Sequence, residues 1–138
     1  MGRQFENRRD FELMGEKILI VEDHHATRKN VSRFLQSQGY SVSEASDGLE
    51  ALTRLNQDSV DIVISDFVLP KIHGLALVRE IRSRWPAIGV IIISAYLGQE
   101  AGKVILEREA EFVAKPLQLS HLAAKVYGVL LRKQVNQC

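Results

Sequence analysis

The chain has 138 residues, 46% hydrophobic and 25% charged, enough for one globular domain with a real core. Its formal net charge of +1 gives no general attraction for nucleic acid or anionic membrane, so no direct role with either is expected. No apolar run approaches the roughly 20 residues that span a bilayer, and a lone cysteine, Cys138, excludes an intrachain disulfide and fits a reducing, cytoplasmic setting.

Residues 1–16 mix Arg3, Arg8, Arg9, Glu6, Asp10 and Glu12 with scattered Phe5, Phe11, Leu13 and Met14, and read as a flexible N-terminal extension. Ile18-Leu19-Ile20-Val21 is the first continuous apolar run, closed by Glu22-Asp23. From about His25 to Gln38 the period becomes helical, through Val31, Phe34 and Leu35, and Gly39 stops it. Tyr40, Val42 and Glu44 alternate with Ser41 and Ser43, which predicts a strand with one wet face near a sheet edge. A turn at Ser46-Asp47-Gly48 leads to a short helix marked by Leu49, Leu52 and Leu55.

Ile62-Val63-Ile64 is a β-branched run suited to a strand buried on both faces. It ends at Asp66, and Pro70 prevents extension. A loop at Lys71-Ile72-His73-Gly74 precedes a helical stripe of Leu75, Val78, Ile81 and Trp85, which stops before Pro86. Val90 to Ile93 is the most hydrophobic run and is closed by Ser94-Ala95-Tyr96. A weaker helix is expected over Gly98 to Glu109, then a short strand at Phe112-Val113-Ala114 that meets Lys115-Pro116. Leu119, Leu122, Ala123, Val126, Val129 and Leu130 outline a final amphipathic helix to about Lys133, leaving residues 134–138 as a tail.

Five strand-helix pairs over residues 17–133, without repeat or linker, imply a parallel sheet with helices on both faces. The expectation is a doubly wound α/β three-layer sandwich. All strand carboxyl ends of such a sheet share one rim, where open α/β sheets place their ligand crevice. Here that rim collects Glu22-Asp23, Asp66, Ser94 and Lys115. Taken alone, Asp66 reads as a turn residue at a strand end; its neighbours on the rim change that. Three clustered carboxylates repel unless a cation joins them. Their oxygen donors, with no cysteine or suitably spaced histidine nearby, favour Mg²⁺ over zinc. Lys115 and Ser94 can both contact a phosphoryl oxygen, and an Asp carboxylate can form an aspartyl-phosphate.

With these residues, Pro70 and Gly74 after Asp66, Ser94-Ala95 and Lys115-Pro116, the chain resembles the receiver domain of two-component response regulators over about residues 17–133. The resemblance implies a flavodoxin-like (βα)5 fold with strand order 2-1-3-4-5. It also implies Asp66 as phosphoacceptor, and Mg²⁺ held by Glu22, Asp23, Asp66 and the backbone carbonyl of Val68. Ser94 and Lys115 would contact the phosphoryl group, Phe112 would be the switch aromatic, and the bond before Pro116 would be cis. The implied donor is a sensor histidine kinase or a histidine phosphotransfer protein. The implied device is a switch rather than a turnover enzyme, acting on an output protein the sequence does not name.

Val68 is apolar where family members often carry a polar side chain, and Tyr96 is bulky; both border the path of the attacking water, so slow self-dephosphorylation is expected. His24 and His25 read as loop or helix-start residues, and His73 and His121 carry no assigned role. Arg28, Lys29 and Arg33 read as a solvated helix face. Tyr127 and Leu131 add apolar surface to the last helix, which with the last strand is a candidate homodimer or partner face. A phosphatase of the haloacid dehalogenase type would need a second Asp where Val68 stands, and a cap for which there is no length. A flavodoxin-like binding module would need a glycine- or Ser/Thr-rich phosphate loop that the strand ends lack.

Overall fold

A computed structural model describes residues 15–95 and 109–136. Five strands, β1 (Lys17–Val21), β2 (Ser41–Ala45), β3 (Ile62–Asp66), β4 (Gly89–Ser94) and β5 (Glu111–Ala114), form one parallel sheet of order β2-β1-β3-β4-β5. Four helices accompany them: α1 (His25–Ser37), α2 (Gly48–Gln57), α3 (Gly74–Arg84) and α4 (Leu119–Asn136). This is the flavodoxin-like arrangement. The helix expected over Gly98 to Glu109 lies outside the described residues except at Glu109, which is helical.

The apolar runs form central strands because alternate residues feed two separate cores. Ile18, Ile20, Ile62, Ile64 and Ile91 point to one face, under Val31 and Leu35 of α1 and Leu122 and Val126 of α4. Leu19, Val21, Val63, Val90 and Ile92 point to the other, under Leu55 of α2 and Leu77 and Ile81 of α3. Each such side chain, almost fully buried, stabilises the fold by about 1.5–3 kcal/mol. The predicted wet strand β2 is indeed at an edge.

Leu49, one of the leucines that mark α2, is 51% exposed, and the helix buries Gly48, Ala51 and Leu55. Two expectations need correction. Asp47 is the N-cap of α2, accepting from Glu50 N–H at 2.8 Å, so that turn is the helix start. Finally, α4 continues to Asn136, so residues 134–136, expected as tail, are helical.

Far from the strand carboxyl ends, Lys133 near the end of α4 ties the helix to the sheet. Its Nζ donates to the carbonyl of Asp61 at 3.1 Å, just before β3, and to that of Ala87, just before β4. Asp61 Oδ2 in turn accepts from Lys17 N–H at 2.8 Å. Among the described residues, no helix is long and apolar enough to cross a membrane.

Candidate functional site

The rim is built by main-chain hydrogen bonds that register the strand ends. Glu22 N–H donates to Ala45 O, Phe67 N–H to Ile93 O and Lys115 N–H to Ser94 O, each at 3.0 Å. Asp66 is the last residue of β3, Ser94 the last of β4, and Lys115 follows β5 directly. Lys115 Nζ donates to Asp66 Oδ2 at 3.0 Å, and the Lys115–Pro116 peptide bond is cis. Ser94 is only 3% exposed. Glu22, Asp23 and Asp66 each offer a carboxylate oxygen within 4.8 Å of the others. Glu22, Asp66 and Lys115 border a cavity of about 40 Å³ walled partly by Ile20, Val31, Ile64 and Ile93, so these two acids stand on an apolar floor while Asp23 is exposed.

That floor sets the electrostatics. Burial pushes the Glu22 carboxyl up to about 7, helped by Asp66 and then Asp23, while Lys115 pulls the other way. Glu22 Oε2 is buried and has no hydrogen-bond partner in the protein. One lysine against three acids, with an orphaned buried oxygen, suits a hard divalent cation with oxygen ligands. The donor set fits Mg²⁺.

The loop after Asp66 is closely held. Gly74 N–H donates to Phe67 O at 3.1 Å, and a Cβ on Gly74 would lie 2.3 Å from that oxygen, so no side chain fits there. Lys71 adopts a left-handed φ of 70° and its Nζ lies 3.2 Å from Asp47 Oδ2. His73, assigned no role from the sequence, caps α3 through Nδ1, which accepts from Leu75 N–H at 3.2 Å, and packs edge-on against Phe67. Val68 is 58% exposed within this loop. Phe112 is half-buried, pairs in register with Ile92, and lies two residues before Ala114, the register partner of Ser94. Tyr96 lies outside the described residues.

The family profile described as response regulator receiver domain matches residues 18–127. The chain belongs to that family. Among proteins similar to this receiver, the sensor kinase CckA of Brucella abortus is 41% identical over 117 residues, 82% of this chain and 12% of that protein. Response regulator MprA of Mycobacterium bovis is 32% identical over 120 residues, 86% of this chain and 52% of that protein. The receiver thus spans about half the length of one relative and about an eighth of the other. A receiver domain protein from Clostridium thermocellum is 28% identical with a TM-score of 0.80, covering 87% of this chain and 98% of that one. A CheY-like receiver domain protein from Methanospirillum hungatei, 24% identical, has a TM-score of 0.83 over 88% and 98%, a likeness of fold.

One partner of the receiver's acidic loop carries no clear mark in the sequence. Arg28, expected on a solvated helix face, has a side chain only 13% exposed. Its Nη1 donates to the Glu22 carbonyl at 2.8 Å and its Nε to Glu44 Oε1 at 3.0 Å. Helical periodicity cannot reveal this, because both partners lie on other elements. The only available hint was the acidic Glu44 among the serines of an edge strand.

Proposed function

We propose that this receiver accepts a phosphoryl group on Asp66 from a phosphohistidine of a sensor histidine kinase or a histidine phosphotransfer protein. A carboxylate oxygen of Asp66 attacks phosphorus, the P–N bond breaks, and the imidazole nitrogen leaves with the bonding pair. Glu22, Asp23, Asp66 and the Val68 carbonyl would hold Mg²⁺, which when bound supplies positive charge facing the transferred oxygens. Lys115 donates to the phosphoryl group from its position beside Asp66, and Ser94 turns its hydroxyl toward it. Phe112 then moves into the space Ser94 leaves, and the surface of β5 and α4 changes for an output protein or a second copy. This is a population shift between two states rather than turnover.

The observation that carries this reading is the meeting of three acids and one lysine at the strand ends, with Lys115 Nζ 3.0 Å from Asp66. Incubation with acetyl phosphate and Mg²⁺ should add the mass of one phosphate to the parent and none to Asp66→Asn. Phosphate appearing on the variant, or on neither, rejects the assignment of Asp66. Steady release of phosphate from varied monoesters would point to the phosphatase instead.

A further inference from the structure

Arg28 and Glu44 sit beside the acidic loop without touching the phosphoacceptor. Arg28 occupies the first turn of α1, its N–H donating to His24 O at 2.9 Å. An arginine this deeply covered is uncommon unless paired, and this one uses all three arms of its guanidinium. Nη1 reaches Glu22 O at 2.8 Å, Nε reaches Glu44 Oε1 at 3.0 Å, and Nη2 meets His25 Nδ1 at 3.1 Å. Glu44 is also fixed from the other side, by Lys29 Nζ at 3.1 Å.

The consequence lies in the backbone of Glu22. Its N–H is tied to Ala45 O at 3.0 Å, and its carbonyl to Arg28. The Glu22 carbonyl belongs to the planar peptide unit that leads into Asp23. Fixing that oxygen therefore fixes the plane from which the Asp23 side chain departs, while the tied N–H fixes the start of Glu22. We propose that Arg28 is a positioning residue for the cation site: held by Glu44 of the edge strand, it sets where the Glu22 and Asp23 carboxylates stand. The inference rests on the reading of those acids as the Mg²⁺ site.

The sign of the effect separates positioning from charge. If Arg28 acted through its charge alone, it would repel Mg²⁺, and removing it would tighten binding. If it holds the loop, removing it loosens binding even though a repelling charge is gone. A lysine keeps the charge but cannot reproduce the planar fork.

The test is calorimetric titration of the full chain with Mg²⁺, beside thermal unfolding of each variant. Arg28→Met should weaken Mg²⁺ binding by roughly 10-fold, as supporting partners of metal ligands do. Arg28→Lys and Glu44→Gln should weaken it as well. Lys29→Met, which removes a nearby charge but leaves Glu22 O bonded to Arg28, should not weaken the affinity. A merely structural role would lower the unfolding temperature and leave the Mg²⁺ dissociation constant unchanged. Arg28→Met binding Mg²⁺ as tightly as the parent, or more tightly, overturns the inference and leaves the metal site standing. If Arg28→Met fails to fold, Arg28→Lys decides: parental affinity overturns the inference. A parent that binds no Mg²⁺ overturns both the metal site and the role of Arg28.

Discussion

Replacing Asp66 by Asn should make the metal-free protein more stable, although it removes an ion pair. At about pH 8 the Glu22 carboxyl, pushed up to about 7 in the fold, is ionised. It then faces the Asp66 carboxylate across at most 4.8 Å. With an effective dielectric constant of about 20, two unit charges at that distance repel by about 3 kcal/mol. Asn has the same shape and no charge, so that repulsion disappears. The loss is the contact with Lys115, whose side chain is 41% exposed; exposed pairs of this kind contribute at most about 1 kcal/mol. A net gain of about 2 kcal/mol follows, or about 7 °C in the unfolding midpoint of a domain of this size. Urea and thermal unfolding in the presence of EDTA measure it directly. The gain should disappear at about pH 5.5 and turn into a loss of at most about 1 kcal/mol, because folded Glu22 is then protonated, the repulsion has gone and only the lost Lys115 contact remains. Mg²⁺ should stabilise the parent, as any ligand that binds only the folded state does, and should stabilise Asp66→Asn less. An Asp66→Asn protein that is no more stable than the parent at about pH 8 in EDTA would refute the repulsive cluster.

Gly74→Ala should be strongly destabilising, by about 3 kcal/mol or more, because its Cβ would press on the Phe67 carbonyl at 2.3 Å; circular dichroism melts give the value, and a loss under about 1 kcal/mol would mean the loop yields easily. Burial pushes the Glu16 carboxyl up to about 7 from its usual 4.5, with Asp61 adding to the rise and Lys133 opposing it. The folded state thus keeps a proton that the unfolded chain releases, so this contribution is full below about 4.5 and is lost as pH rises through about 7. Glu16→Gln should therefore flatten the fall in stability between those values and add about 1 kcal/mol at about pH 8, after discounting for solvent screening; an unchanged pH profile would contradict it. Val68→Asn should shorten the phosphoryl lifetime severalfold, read by mass after removal of acetyl phosphate, since it replaces an apolar side chain beside Asp66 with one that can hold water. An unaltered lifetime would reject the shielding role of Val68.

Much of this architecture is legible in the chain because the two-sided core leaves an unusual mark. Ile18 to Val21, Ile62 to Ile64 and Val90 to Ile93 have no polar interruption, which happens only when both faces of a strand are covered. The strand order follows from the family resemblance, and the rim residues follow from reading what closes each run. What escaped depends on contacts between elements. Leu49, Leu52 and Leu55 mark α2 by their spacing, but spacing does not say that Leu49, in the first turn, lies on the open side of the helix. Arg28 looked solvated because a basic residue on an amphipathic helix usually is. Nothing local tells an arginine that reaches water from one that reaches a carbonyl six residues back and a carboxylate on a neighbouring strand.

The attachment of Lys133 to the carbonyls of Asp61 and Ala87 gives α4 a fulcrum. The helix is anchored at the end remote from Asp66, while its beginning at Leu119 follows Lys115 by only a few residues. From Leu119 to Lys133 the lever arm is about 21 Å at 1.5 Å per residue. A pull of about 1 Å by Lys115 on that near end would tilt the whole helix by about 3° while leaving its far end in place. The exposed side chains toward the start of α4, such as His121 and Ala124, would travel further than those beside Lys133.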